Sequence, residues 1–172
     1  GIISWRRTKE TEQGRTTTRD ASPIKNIANR LQQAVRNGEN ESLPVIVYFP
    51  TGRLWKERQD TGIEVRGSRL RGYYNALNPT SNYKFLLGWF KTKEFAAIQQ
   101  SQESVELNVI SRAVSNCIED CNRIYFDIAE DELMMQFEDG SKMPAKNLSD
   151  GYRGMMALVA DIAFRCVILN PH

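Results

Sequence analysis

The sequence predicts a mixed fold, α+β or α/β, and three observations carry that prediction. Apolar residues recur at three- and four-residue spacing in three separate stretches, which is the signature of amphipathic or buried helices. Short runs rich in β-branched and aromatic residues, bounded by Pro, Gly and Asp, lie between them and read as strands. Hydrophobic residues make up 41% and charged residues 26% of the 172 positions, enough apolar material for a core and too little net charge for a disordered chain.

In chain order, Gly1 to Glu10 and Thr16–Thr18 read as two strands joined by a turn near Glu12–Gly14. With so few large apolar residues, they predict an exposed hairpin. Ser22-Pro23 is a helix start, with Pro at the first helical position, where its missing N–H is harmless. Ile24, Ile27, Ala28, Leu31, Ala34 and Val35 then mark one helical face, and Gly38 closes it. Leu43–Pro50 is a continuous apolar run between two prolines, read as a buried strand of a central sheet. Thr51–Trp55 follows it directly. Ligands gather beyond the carboxyl ends of strands in open α/β sheets, so Arg53 is a candidate contact for a phosphate or carboxylate.

Residues 56–73 lack a sustained period and hold Arg58, Arg66, Arg69 and Arg71, which predicts a polar loop or short hairpin. From Ser81 to Cys117 the pattern is helical with a break after Ser101, a bent helix or helical hairpin. Arg123–Ile128 and Glu132–Phe137 form a β-meander around an acidic turn, and Asp139-Gly140 is a further turn. Leu148–Gly151 then opens a helix that is apolar on most of its circumference and is therefore expected to be buried. Asp161 and Arg165, four apart, are placed as a pair on its remaining face.

Composition narrows the function classes. No apolar run approaches the ~18 residues that cross a bilayer, and no signal-peptide core is present. Three cysteines cannot all pair with one another, so reduced thiols and a cytoplasmic location are expected. Cys117 and Cys121 with the single His172 make a poor zinc set, and no metal site is expected. No histidine is placed for nucleophilic catalysis, no phosphate-cradling Gly-x-x-x-x-Gly-Lys-Ser/Thr loop occurs, and no catalytic residue is assigned. Residues 1–72 carry 14 Lys/Arg against 8 Asp/Glu, and residues 73–172 carry 9 against 13. That basic first half supports an alternative reading, a non-enzymatic nucleic-acid-binding or protein-interaction module built on Arg53–Arg71 and the N-terminal hairpin.

The stretch with the most chemistry is Leu148-Ser149-Asp150-Gly151-Tyr152-Arg153. A helix start leaves N–H groups unpaired and carries partial positive charge, which suits an anion. An ordinary N-cap explains Ser and Asp there equally well. Taken with Val45–Trp55, Ser68–Trp89 and Asp139–Gly140, the block Leu148–His172 resembles the middle of bacterial ABC/SMC-like ATPases. The group is the "predicted ATP-binding protein" family, which includes the ATPases of Septu-type and some retron anti-phage systems. The resemblance covers roughly residues 43–172.

It implies a partial ATPase head in a single segment. Residues 1–55 would supply the hairpin, helix and core strand of an N-terminal lobe, 56–117 a basic loop and helical insertion, and 118–172 a β-hairpin and the signature helix. Leu148–Gly151 would match the ABC signature motif, with Ser149, Asp150, Gly151 and Arg153 meeting ATP bound to a second head in a homodimer. The commonest form is Leu-Ser-Gly-Gly-Gln, so Asp150 and Tyr152 are departures from it. The family's Walker A and Walker B motifs, which would also bring magnesium, flank such a segment and are absent from these 172 residues. The isolated chain is accordingly expected to be inactive as an ATPase. A nuclease subunit is the further partner that the family's defence systems imply.

Overall fold

A computed structural model describes residues 2–9, 11–50, 68–78 and 83–171. The fold is α+β, with four α-helices and two small antiparallel sheets among the described residues. The chain divides into two compact units, Gly1–Leu43 and Pro44–His172.

The first unit holds the predicted hairpin in reduced form. β1 (Thr8–Lys9) pairs antiparallel with β2 (Thr16–Thr17), and the Thr8 and Thr17 hydroxyls hydrogen-bond across the pair at 3.0 Å. Gly14 N–H closes the connecting turn by donating to Thr11 O at 3.0 Å. Helix α1 (Ser22–Arg36) starts with Pro23 in its first turn and gives way to Gly38 at φ +75°, a left-handed position that suits glycine. Ser22 lies inside the helix, where its hydroxyl donates to Arg19 O at 3.0 Å, and the N-cap is Ala21. Of the predicted apolar face only Ala34 is buried.

In the second unit, helix α2 (Tyr83–Gln100) and helix α3 (Val105–Ser115) form the expected helical hairpin. The break falls at Ser101, whose φ is +50°, and the Ser104 side chain caps α3 by accepting from Leu107 N–H. Lys93 Nζ lies 2.5 Å from Glu106 Oε1 and ties the two helices together. Burial pushes the Glu106 carboxyl up, but hydrogen bonds from Lys93, its own backbone and Ser104 outweigh that and hold it below its ordinary value. β3 (Cys121–Asp127), β4 (Glu132–Phe137) and β5 (Lys142–Pro144) make a three-stranded meander in sequence order. Asp127 Oδ1 accepts from Ala129 and Glu130 N–H in the first turn, and Gly140 at φ +84° makes the second.

Helix α4 (Asp150–Leu169) packs against α3 and the sheet through Met156, Ala160, Phe164 and Ile168. Phe164 meets Trp89 and Phe85 edge-on at centroid distances of 5.1 and 5.6 Å, which locks α4 to α2. The core cluster runs through these residues with Phe90, Ile110, Val114, Leu133 and Met135.

Two expectations change. Leu43–Pro50 is not a buried sheet strand: it has no strand pairing, and Ile46 and Tyr48 are each about half exposed. Its backbone is held instead by Tyr48 N–H on Ala76 O at 2.7 Å and by the Tyr73 hydroxyl on Pro44 O at 2.6 Å. Nor is α4 covered all round. Its second half is buried, whereas Tyr152, Met155, Ile162 and Cys166 stand three, seven and four residues apart on one outward stripe.

Candidate functional site

The candidate signature begins on a rigid base. The short 3-10 helix Ala145–Asn147 follows edge strand β5, and Ala145 and Leu148 are both in the core. Leu148 is extended at φ −65° and ψ 151°, so the chain turns out to the surface at Ser149. Ser149 is the N-cap: its Oγ accepts from Tyr152 N–H at 3.3 Å, and its carbonyl accepts the first helical bond from Arg153 N–H at 2.9 Å. Asp150 is the first helical residue and does not share the cap. Its Oδ1 takes a 2.5 Å bond from Arg153, whose other terminal nitrogen reaches Lys146 O at 3.4 Å. Both charges are therefore engaged on their own helix. Arg153 braces the turn, and Asp150 is drawn to it along the helix.

Gly151 differs from its neighbours. It has no positive φ, and a Cβ built there would meet nothing closer than Ser149 Oγ at 4.0 Å. Neither turn geometry nor packing asks for glycine here, although glycine in a helix costs about 1 kcal/mol relative to alanine. The residue leaves the helix start open to close approach from outside. Beside it lies a groove of about 460 Å³ lined by Cys117, Ile118, Glu119, Ser149, Gly151, Tyr152 and Met155. Sequence reasoning missed the Cys117–Glu119 wall, because these residues follow α3 and only the fold brings them to α4. Glu119 adds a negative charge to that wall. As a phosphate-facing surface the site offers backbone N–H groups, the helix dipole and a hydroxyl, with no uncommitted cation among Ser149, Asp150, Gly151 and Arg153.

Of the other candidates, Arg53 lies outside the described residues, as do Arg58 and Arg66. The described end of that basic stretch is a 3-10 helix, Arg69–Tyr73, in place of the expected loop. Arg69 Nε donates to Leu169 O at 2.8 Å, a cation placed at the carboxyl end of α4 where the helix dipole favours it. That contact draws Arg69 out of any nucleic-acid surface.

The Asp161–Arg165 pair is also a correction. It is not on an exposed face: Asp161 is 3% and Arg165 1% exposed. The carboxylate and guanidinium meet through two contacts of 3.2 Å, and Arg165 donates onward to Gly72 O at 2.7 Å and Tyr74 O at 3.1 Å. A charge on an otherwise apolar helix is driven inside with it, and it survives there because every donor direction used finds an acceptor.

No group of histidine, cysteine and carboxylate side chains that could hold a metal ion occurs among the described residues. None of their helices is long and apolar enough to cross a membrane. No protein-family model matches the chain.

Proposed function

We propose that this chain is a segment of an ABC/SMC-like ATPase, and that the start of α4 is its signature, meeting ATP held by a second copy of the head. The single observation that carries the reading is Gly151, a glycine in the first turn of a well-anchored helix with no conformational or packing reason to be one. It stands next to a serine-capped N-terminus, the arrangement that best accepts phosphate oxygens. The residues fit ATP from one side only. Ser149 and the first-turn N–H groups face the nucleotide's phosphates, and the Arg153–Asp150 pair stiffens the turn that presents them. Preorganised donors of this kind stabilise charge without reorganising at the moment of reaction. ATP bound there supplies the phosphoryl bond whose cleavage drives the head cycle. The remaining apparatus, Walker motifs and magnesium, belongs to other parts of the ATPase.

In this reading the heads form a homodimer, a nuclease subunit is the downstream partner, and the setting is anti-phage defence in the cytoplasm. The α2–α3 hairpin occupies the place of the family's helical insertion. The test is Ser149→Ala in the full-length ATPase. ATP-dependent dimerisation and turnover are lost while the circular dichroism spectrum is kept. Full activity in that variant overturns the assignment.

A further inference from the structure

A second cleft lies away from the signature, between the last turns of α2, the start of α3 and strand β3. It measures about 340 Å³ and contains two opposite charges that do not meet. Glu94, half-buried on α2, makes no hydrogen bond or ion pair among the described residues. Burial raises its carboxyl above the ordinary range, and the charge of Arg123 only partly offsets that. Arg123, on β3, is held in a fixed orientation. Its Nε donates to Gln136 Oε1 at 2.9 Å and its guanidinium carbon lies 4.7 Å from the centre of the Tyr125 ring. Its terminal nitrogens make no further hydrogen bond among the described residues. The Tyr125 hydroxyl is buried and has no partner.

Neighbouring polar groups contrast with these. Glu106 has Lys93 and Ser104, Glu103 has the Asn108 amide at 3.0 Å, and Ser111 Oγ accepts from Ile124 N–H at 3.0 Å. The unmet groups are thus one carboxylate, one guanidinium and one phenol, all from residues lining one cleft. Burying such groups is unfavourable unless something satisfies them. A purely cationic ligand is repelled by Arg123, and a purely anionic one by Glu94. Ala97, Leu107 and Ile124 give the cleft apolar wall as well.

We propose that this cleft binds a free α-amino acid with an apolar side chain, its ammonium on Glu94 and its carboxylate on Arg123. The charges of such a ligand match those of the cleft one for one, and its side chain lies against the Ala97, Leu107 and Ile124 surface. The site is independent of the ATPase assignment, since it shares no residue with the start of α4.

Calorimetric titration of the 172-residue chain with leucine, isoleucine, valine, methionine and phenylalanine tests it. At least one binds saturably. Its N-acetyl and carboxamide derivatives, and the Glu94→Gln and Arg123→Gln variants with the free amino acid, each bind at least roughly tenfold more weakly, as expected for loss of one charge-assisted contact. The blocked ligands report on the wild-type chain, so a variant that misfolds does not remove the test. Absence of binding by all five amino acids, or blocked forms that bind as tightly as the free ones, overturns the proposal.

Discussion

The two ends of α4 are built on opposite principles. The carboxyl end is closed: Arg165 and Asp161 are buried, Arg165 and Arg69 donate to backbone carbonyls, and Gly72 lies so close that a Cβ there would come within 2.5 Å of Leu169 Cγ. The amino end is open, with Ser149, Asp150, Gly151 and Tyr152 exposed and Tyr152 and Met155 more than 40% accessible. Each end has a glycine near it, and the contrast between them is the clearest guide to function. Gly72 is there because a helix passes against it. Gly151 is there with nothing against it, so its explanation lies outside the fold of this chain. A helix clasped at one end and free at the other can present its free end accurately without that end contributing much to stability.

That contrast can be broken from either side. Arg165→Ala has the largest expected effect, a loss of about 3–5 kcal/mol, because it leaves the Asp161 carboxylate buried and unpaired. Chemical denaturation measures it, and a loss below ~1 kcal/mol would mean that the clasp does not hold the closed end. Gly72→Ala follows, with roughly 1–3 kcal/mol lost to overpacking against Leu169. Gly151→Ala should move the other way, with stability unchanged or raised by up to about 1 kcal/mol, since alanine favours helix and the space is open. Thermal melts of the two glycine variants side by side decide it. Destabilisation by Gly151→Ala equal to that of Gly72→Ala would show that the amino end is structural too.

How much of this was legible in the sequence differs by element. The cap at Ser149, the break after Ser101 and the two turns of the meander were all readable, because each depends on residues within a few positions of one another. Leu43–Pro50 misled for the opposite reason. Its β-branched residues favour extended backbone, and the backbone lacks sheet pairing, but a buried strand needs a distant partner that local pattern does not reveal. The Asp161–Arg165 spacing announced a pair and not its burial. The signal for burial was present in the apolar neighbours Ala163, Phe164 and Ile168, which leave a charge at 165 no exposed face to occupy. Strand β5 escaped notice because three residues ending in Pro144 carry almost no periodicity, although a proline is tolerated at such an edge. At the candidate site, the serine and glycine were legible. The Arg153–Asp150 bond and the Cys117–Glu119 wall were not, because both depend on how side chains and elements come together in three dimensions.

One substitution separates the cap from the phosphate contact at Ser149. Aspartate caps a helix about as well as serine, so Ser149→Asp keeps the helix start while placing a carboxylate where phosphate oxygens would sit. Measured by light scattering with and without ATP in the full-length ATPase, the variant should melt as the wild type does and fail to dimerise on adding ATP. Dimerisation equal to wild type would contradict the account, because a signature serine that tolerates a negative charge is not facing a triphosphate.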